Sequence, residues 1–464
     1  MPCWRLVALV LAGASAAQAA DSLRALFDGD EWATLTPALQ TELLPWLGND
    51  DRDGARNRVL NAMEAGSVSF ARGELAFAEK FFSRAQAGIE TIYADDPAAQ
   101  AARSKFVPES SKEFKGDPYE RAMVGYYLGV IDLSRGDYDN ARAGFRFAQL
   151  QDTMSASETY QDDMALMQYL VAWTYWCEGS ELSAQEEWTR ARQRRADFPL
   201  PERGANLLLL AETGRAPIKF SAGEYKELLQ YRTGPLALQQ QVAFAVGAQQ
   251  INGIAAEDLY FQASTRGGSA VANIREGKAS FRRTADTIAN VGSTVTNVAA
   301  GTSILQQVNG DSGSQMTKVA AVAGVVTIVS AVFGNNTETQ ADTRYWRNLP
   351  ATIHFALGSI SPEAKPEVGA FAADGKVLQS QAMWLRSGGS KKCALAYARV
   401  QERDGQWAQH KAAQWQALPR LKNADSSLLP TNLPEATDEG DALMEMVRQM
   451  RQTTSSGNNS GATK

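Results

Sequence analysis

One spacing occurs three times in the first half of this 464-residue chain and limits what it can fold into. In "ARGELAFAEKFFSRA" it is Gly73, Ala78, Phe82 and Ala85; in "SRGDYDNARAGFRFA" it is Gly136, Ala141, Phe145 and Ala148; in "CEGSELSAQEEWTRA" it is Gly179, Ala184, Trp188 and Ala191. Each unit reads Gly-x4-Ala-x3-aromatic-x2-Ala. Glycine ends one helix by turning left-handed, and the residues that follow at i, i+4 and i+7 share one face of a second helix. The small alanines let that helix approach the first closely. Such a hairpin cannot cover its own apolar face, so three in succession predict stacking around a shared core, with a concave wall made of the first helices.

The units stand 63 and 43 residues apart, against about 34 for the repeat that this spacing resembles, the second half of a tetratricopeptide repeat. The loops between hairpins are therefore enlarged, most of all across "YADDPAAQAARSKFVPESSKEFKGDP". Residues 20–206 are expected to form a TPR-like helical solenoid. The repeat template places Met63, Phe70, Tyr126, Leu133, Tyr169, Trp173 and Trp176 on or near the concave wall. If exposed, Tyr126, Tyr169, Trp173 and Trp176 would line a peptide groove, because Tyr and Trp give large contact area at low entropic cost. The other reading is that these rings pack against the next repeat, the commoner fate of an aromatic stripe at helical spacing.

At the N-terminus, "MPCWRLVALVLAGASAAQA" sets one arginine before a short apolar core, Leu6 to Gly13, and small residues ending Ala17-Gln18-Ala19. This is the pattern of a secretory signal over 1–19 with an A-x-A cleavage site, and its core is too short for a permanent span. The expected location is the periplasm, with outer-membrane association as an extension. Cys3 precedes the apolar core, so no lipid-bearing cysteine stands at the cleavage point. Cys177 and Cys393 remain; an oxidising compartment allows a bridge between them, but they fall in different expected domains, and buried free thiols are the expectation. The net charge of −6 and the lack of a concentrated basic face argue against a nucleic-acid partner.

Farther along, Leu207 to Leu210 followed by Gly214 and Pro217 suggests a strand leaving the solenoid, in a mixed connecting region over 207–279. Residues 280–340 are rich in Ala, Gly, Val and Thr and read as an apolar helical hairpin joined through "NGDSGS". In "KVAAVAGVVTIVSAVFG", residues 318–334, only Val319 to Phe333 are steadily apolar, short of the ~20 residues of a spanning helix. Its small residues suit close helix contact. Burial in the protein is the expectation; membrane insertion or oligomerisation through 291–334 is the alternative. Alternation at Ile353, Phe355 and Leu357, with "KVLQSQAMWLRSGG" and "KKCALAYARVQERDG", predicts a small antiparallel β domain over 341–416. Residues 417–464 read as linker, a short amphipathic helix and a disordered tail. The expected class is α+β, multidomain.

Several strings are less generic: "FKGDPYERAMVGYYLGVIDLSRGDYDNA", "AETGRAPIK", "YFQASTRGGSAVANIREGKASFR" and "ADTRYWRNLPATIHFA". Together they resemble an uncharacterised family of bacterial envelope proteins with tetratricopeptide-like repeats, many of them lipoproteins, over roughly residues 55–400. The resemblance implies a periplasmic or outer-membrane-associated repeat protein with a β domain, often in the company of curli-secretion-like lipoproteins. It implies no activity, and this chain departs from the pattern in lacking the lipid-bearing cysteine. In the most specific string, Asp342 is close enough to hold Arg344, Arg344 and Trp346 alternate along an extended segment, and Pro350 fixes the bend after it. These residues would serve either as a recognition corner or, as expected, as a plug, with Trp346 at the domain junction and Arg344 satisfying carbonyls.

No pattern for catalysis stands out. The two histidines, His354 and His410, lie far from Cys177 and have no metal-ligand spacing around them. "ANIREGKAS" lacks the hydroxyl that a phosphate loop uses for magnesium, and Asp162 with Asp163 suits a helix cap better than a shared proton. No catalytic, cofactor-binding or metal-ligating residue is assigned. The expected function is a non-enzymatic adaptor or scaffold that binds an envelope protein or peptide. The alternative is a membrane-inserting or oligomerising assembly factor, and an unrecognised hydrolase ranks third.

Overall fold

All three glycines of the repeated spacing adopt the left-handed conformation that a helix stop requires, with φ of 76° at Gly73, 74° at Gly136 and 93° at Gly179. The computed structural model describes residues 22–94, 112–153, 164–222, 228–232, 241–266, 341–360, 365–371, 375–387, 393–400 and 415–416. The expected signal over 1–19, the apolar hairpin over 280–340 and the segment 417–464 lie outside these.

After a helical turn at Glu31–Thr34, the helices are α1 (Pro37–Asp53), α2 (Arg58–Ala71), α3 (Leu75–Ala94), α4 (Pro118–Arg135), α5 (Tyr138–Thr153), α6 (Ala165–Glu178) and α7 (Glu181–Arg194). They form the hairpins α2–α3, α4–α5 and α6–α7, each in contact with the next. Ala78, Phe82, Ala85, Ala141, Phe145, Ala148, Ala184, Trp188 and Ala191 are all buried, as their spacing requires. At α4–α5 the backbones touch: a Cβ added at Gly144 would lie 2.7 Å from the Gly129 nitrogen. Helix α4 begins at a capping box, with Asp117 before it, Pro118 at its first position and the Glu120 side chain accepting from the Asp117 N–H at 2.8 Å.

Strand β1 (Leu207–Thr213) follows the helices; β2 (Ile218–Ala222) and β3 (Leu228–Arg232) make a ribbon; then come β4 (Gln241–Val246), β5 (Gln249–Asn252), β6 (Ile254–Asp258) and α8 (Leu259–Arg266). After these come β7 (Thr352–Gly358), β8 (Glu367–Phe371), β9 (Val377–Ala382), β10 (Trp384–Ser387) and β11 (Ala394–Val400). One sheet has the order β10-β11-β1-β7-β6 and another β5-β4-β8-β9. β1 runs parallel to β11 and antiparallel to β7, so the larger sheet is mixed.

The run Leu207 to Leu210 is apolar throughout because β1 is covered on both faces. Leu208 and Leu210 join Ile353, Phe355 and Tyr397 in the core shared with the helices. Leu207, Leu209 and Ala211 join Val242, Phe244, Val368 and Ala370 of the second sheet. The described part thus has three layers: helices, the five-stranded sheet and the four-stranded sheet. This α+β arrangement corrects two expectations. Residues 207–279 do not merely connect, and 341–416 do not make a β domain of their own, because strands from both regions interleave in both sheets. The physical reason is the apolar face of the helices, which packs against strands contributed by both regions. Among the described residues no helix is long and apolar enough to cross a membrane.

Candidate functional site

The first helices α2, α4 and α6 turn their inner faces to the five-stranded sheet. There Met63, Phe70, Tyr126, Tyr169 and Trp173 are 0% exposed and Leu133 is 5% exposed. The Tyr169 ring lies 4.7 Å from Phe355 and 5.4 Å from Phe198, and its hydroxyl donates to the Pro199 carbonyl at 2.7 Å. Phe70 meets Tyr397 at 4.6 Å, and half-buried Trp176 donates its indole N–H to the Ala205 carbonyl at 2.9 Å. An open groove at Tyr126, Tyr169, Trp173 and Trp176 is therefore corrected: the chain's own sheet fills that wall.

Part of the wall holds something other than a strand. Residues 341–351, with no helix or strand of their own, cross from α2 to α4. Glu64 on α2 accepts the backbone N–H groups of Arg347 at 2.7 Å and Asn348 at 3.0 Å. Glu120 on α4 accepts that of Trp346 at 2.7 Å, and the Trp346 indole N–H donates to Ser67 Oγ at 2.9 Å. The Trp346 ring is fully buried, 5.7 Å from Tyr127 and 5.8 Å from Phe82. Arg344 donates to Asp342 at 2.7 Å, to the carbonyls of Arg56 at 3.1 Å and Lys112 at 2.9 Å, and to Asn57 Oδ1 at 2.7 Å. Pro350 is buried where the segment turns into β7. The motif Asp342, Arg344, Trp346 and Pro350 is thus a plug at the helix–sheet junction, with Arg344 satisfying carbonyls there.

Two further ionic groups sit around the plug. Lys219 of β2 is 3% exposed at its side chain and bridges Glu120 and Asp117, each at 2.6 Å, and Asp117 also accepts from the Tyr231 hydroxyl of β3. Glu212 of β1 accepts from Tyr397 at 2.8 Å, Tyr127 at 2.9 Å and Arg399 at 3.0 Å. Arg399 also donates to the Leu349 carbonyl at 2.8 Å, which ties the plug to the sheet. Burial pushes Glu64 up to about 8 against its backbone donors. It also raises Glu120 against the pull of Lys219, and Glu212 against the pull of Arg399. Burial alone would lower the Lys219 ammonium, but Asp117 and Glu120 together hold it above its ordinary value.

Glu64, Glu120 and Glu212 are at most 1% exposed. Glu64 and Glu120 spend both oxygens on backbone N–H groups and the Lys219 ammonium, so between them they clamp an extended chain, while Glu212 gathers two ring hydroxyls and Arg399 on one oxygen. The sequence hinted at two of these acids. Glu64 stands in the apolar run "VLNAMEAGSVSF", and Glu120 completes "DPYE", but neither string says which backbone it meets.

Cys177 at the end of α6 and Cys393 before β11 form a disulfide, with Cα atoms 5.5 Å apart. This corrects the expectation of free thiols: the sheet lies on the helices, so both cysteines come to one seam. His354 is buried on the face of β7 toward the second sheet, 3.0 Å from Thr213 Oγ1, and burial lowers it to about 3. Among the described residues no group of three His, Cys, Asp or Glu is placed to hold a metal ion. Comparison with family models, with curated proteins and with solved structures gave no match to this chain.

Proposed function

We propose that this chain is an exported, non-enzymatic scaffold of the bacterial cell envelope, built on a tetratricopeptide-like array whose inner wall is committed to its own sheet and plug. The clamp on Arg344 to Asn348 carries the reading. Nested hairpins hold an extended segment by hydrogen bonds from its backbone N–H groups to buried carboxyl groups and by one buried indole, which is how a concave helical array receives a peptide. Because this guest is internal, envelope partners meet the outer helices, where Leu150 of α5 and Leu182 of α7 are 52% and 80% exposed. The Cys177–Cys393 bridge supports export, since such bonds persist in oxidising compartments.

Photo-crosslinking in intact cells tests this. A photoreactive residue at Leu182 or Leu150 should form an adduct with a distinct envelope protein, and one at Trp173 should form none. Adducts from Trp173 alone would return the contact to the inner wall, and none from either outer position would sink the scaffold reading. A carbonate wash separates it from insertion through 291–334: release fits the scaffold, and retention in the membrane fits insertion.

A further inference from the structure

The four-stranded sheet has a second face, turned away from the five-stranded sheet. Cross-strand pairing puts Ala243 of β4 beside Gly369 of β8, Gln241 beside Phe371, and Gln250 of β5 beside Ala245. Ala243 and Phe371 are 0% exposed, and Trp415 packs against them. The absent side chain of Gly369 makes the seat: a Cβ there would lie 3.1 Å from two indole carbons of Trp415. The Phe371 ring meets the indole edge-on at 5.9 Å. Beside it the Gln250 side-chain amide pairs with both backbone groups of one residue, accepting the Gln416 N–H at 2.9 Å and donating to the Gln416 carbonyl at 3.2 Å.

We infer that this face is a binding slot for an extended tryptophan-bearing segment, filled in cis by Trp415–Gln416. An indole over a glycine, followed by a backbone amide read by a glutamine, specifies Trp and leaves the next side chain free. The seat holds its indole less tightly than the packing alone would, because the Trp415 indole N–H is buried with no hydrogen-bond partner among the described residues. A buried donor left unpaired costs about 1–3 kcal/mol. Tethering compensates, holding the indole at an effective concentration of roughly millimolar order. A free segment therefore enters only where the tethered one is removed. This slot is independent of the scaffold role proposed above.

The test is binding of a labelled peptide of residues 411–421, KAAQWQALPRL, to the full-length protein with its disulfide intact, followed by fluorescence anisotropy. The peptide should saturate the Trp415→Ala variant and bind the wild type at least tenfold more weakly. Adding Gly369→Val to the Trp415→Ala protein should abolish binding, because the added side chain occupies the seat. On the peptide, Trp415→Ala should remove binding and Gln416→Ala should leave it unchanged. If Trp415→Ala does not fold, Trp415→Leu keeps an apolar cover and should admit the peptide in the same way. Equal binding to wild type and variant, no binding to a folded variant, or binding insensitive to Gly369→Val would each overturn the slot.

Discussion

Trp346 donates its backbone N–H to Glu120 at 2.7 Å across 226 positions of sequence, while its indole occupies the junction between helices and sheet. One residue thus joins the N-terminal cap of α4 to the approach to β7. Trp346→Ala should destabilise the protein by about 3–5 kcal/mol through the cavity it leaves. Trp346→Phe, which gives up chiefly the bond to Ser67, should cost about 1 kcal/mol or somewhat more. Denaturant midpoints at constant m-value check both.

Glu64 and His354 set opposite limbs of the stability profile. Folded Glu64 keeps its proton up to about pH 8, whereas the unfolded chain releases it near its ordinary value, so stability falls as pH rises between the two. Unfolded His354 takes up a proton below about 6.5, but the folded residue resists until about 3, so stability also falls as pH drops through that window. Each limb is worth up to about 4–5 kcal/mol by linkage. Urea unfolding at a series of pH values should show Glu64→Gln flattening the alkaline limb and His354→Gln the acid one. An unchanged profile in both variants would contradict the burial of these groups.

The bridge between Cys177 and Cys393 spans 216 positions. Cys177→Ala with Cys393→Ala should lower stability by about 2–5 kcal/mol, chiefly by freeing the unfolded chain. Thermal unfolding of the wild type with and without reductant should reproduce the same difference.

Glycine substitutions should separate contact from propensity. Gly144→Ala would press a methyl group onto the α4 backbone and should cost about 1–3 kcal/mol or more. Gly48→Ala, inside α1 with nothing within 4 Å of the new methyl, should gain about 0.5–1 kcal/mol. Calorimetric midpoints should move in opposite directions.

What the sequence revealed follows from range. Helix stops and faces are local, and the Gly-x4-Ala-x3-aromatic-x2-Ala spacing located three turns and nine buried side chains correctly. Helical spacing groups the aromatics of α2, α4 and α6, but whether they meet solvent depends on β7 and β11, far along the chain. The partners of β1 were not legible, since four consecutive leucines carry no alternation to say which face meets what. The disulfide and the acceptors at Glu64 and Glu212 depend on that same long-range pairing. Nothing in the sequence around Gly369 marks it, and only the seated indole gives it a purpose.

The central position of β1 also bears on how the molecule is made. Its neighbours in the sheet are β7 and β11, and Leu207 meets its partner Ala394 roughly 190 residues later. At the usual synthesis rate of about 5–20 residues per second, that interval is on the order of 10 to 40 seconds. Until β11 arrives the helices lack part of their cover, and the ring of Phe70, which packs on Tyr397 of that strand, has nothing of it to rest against.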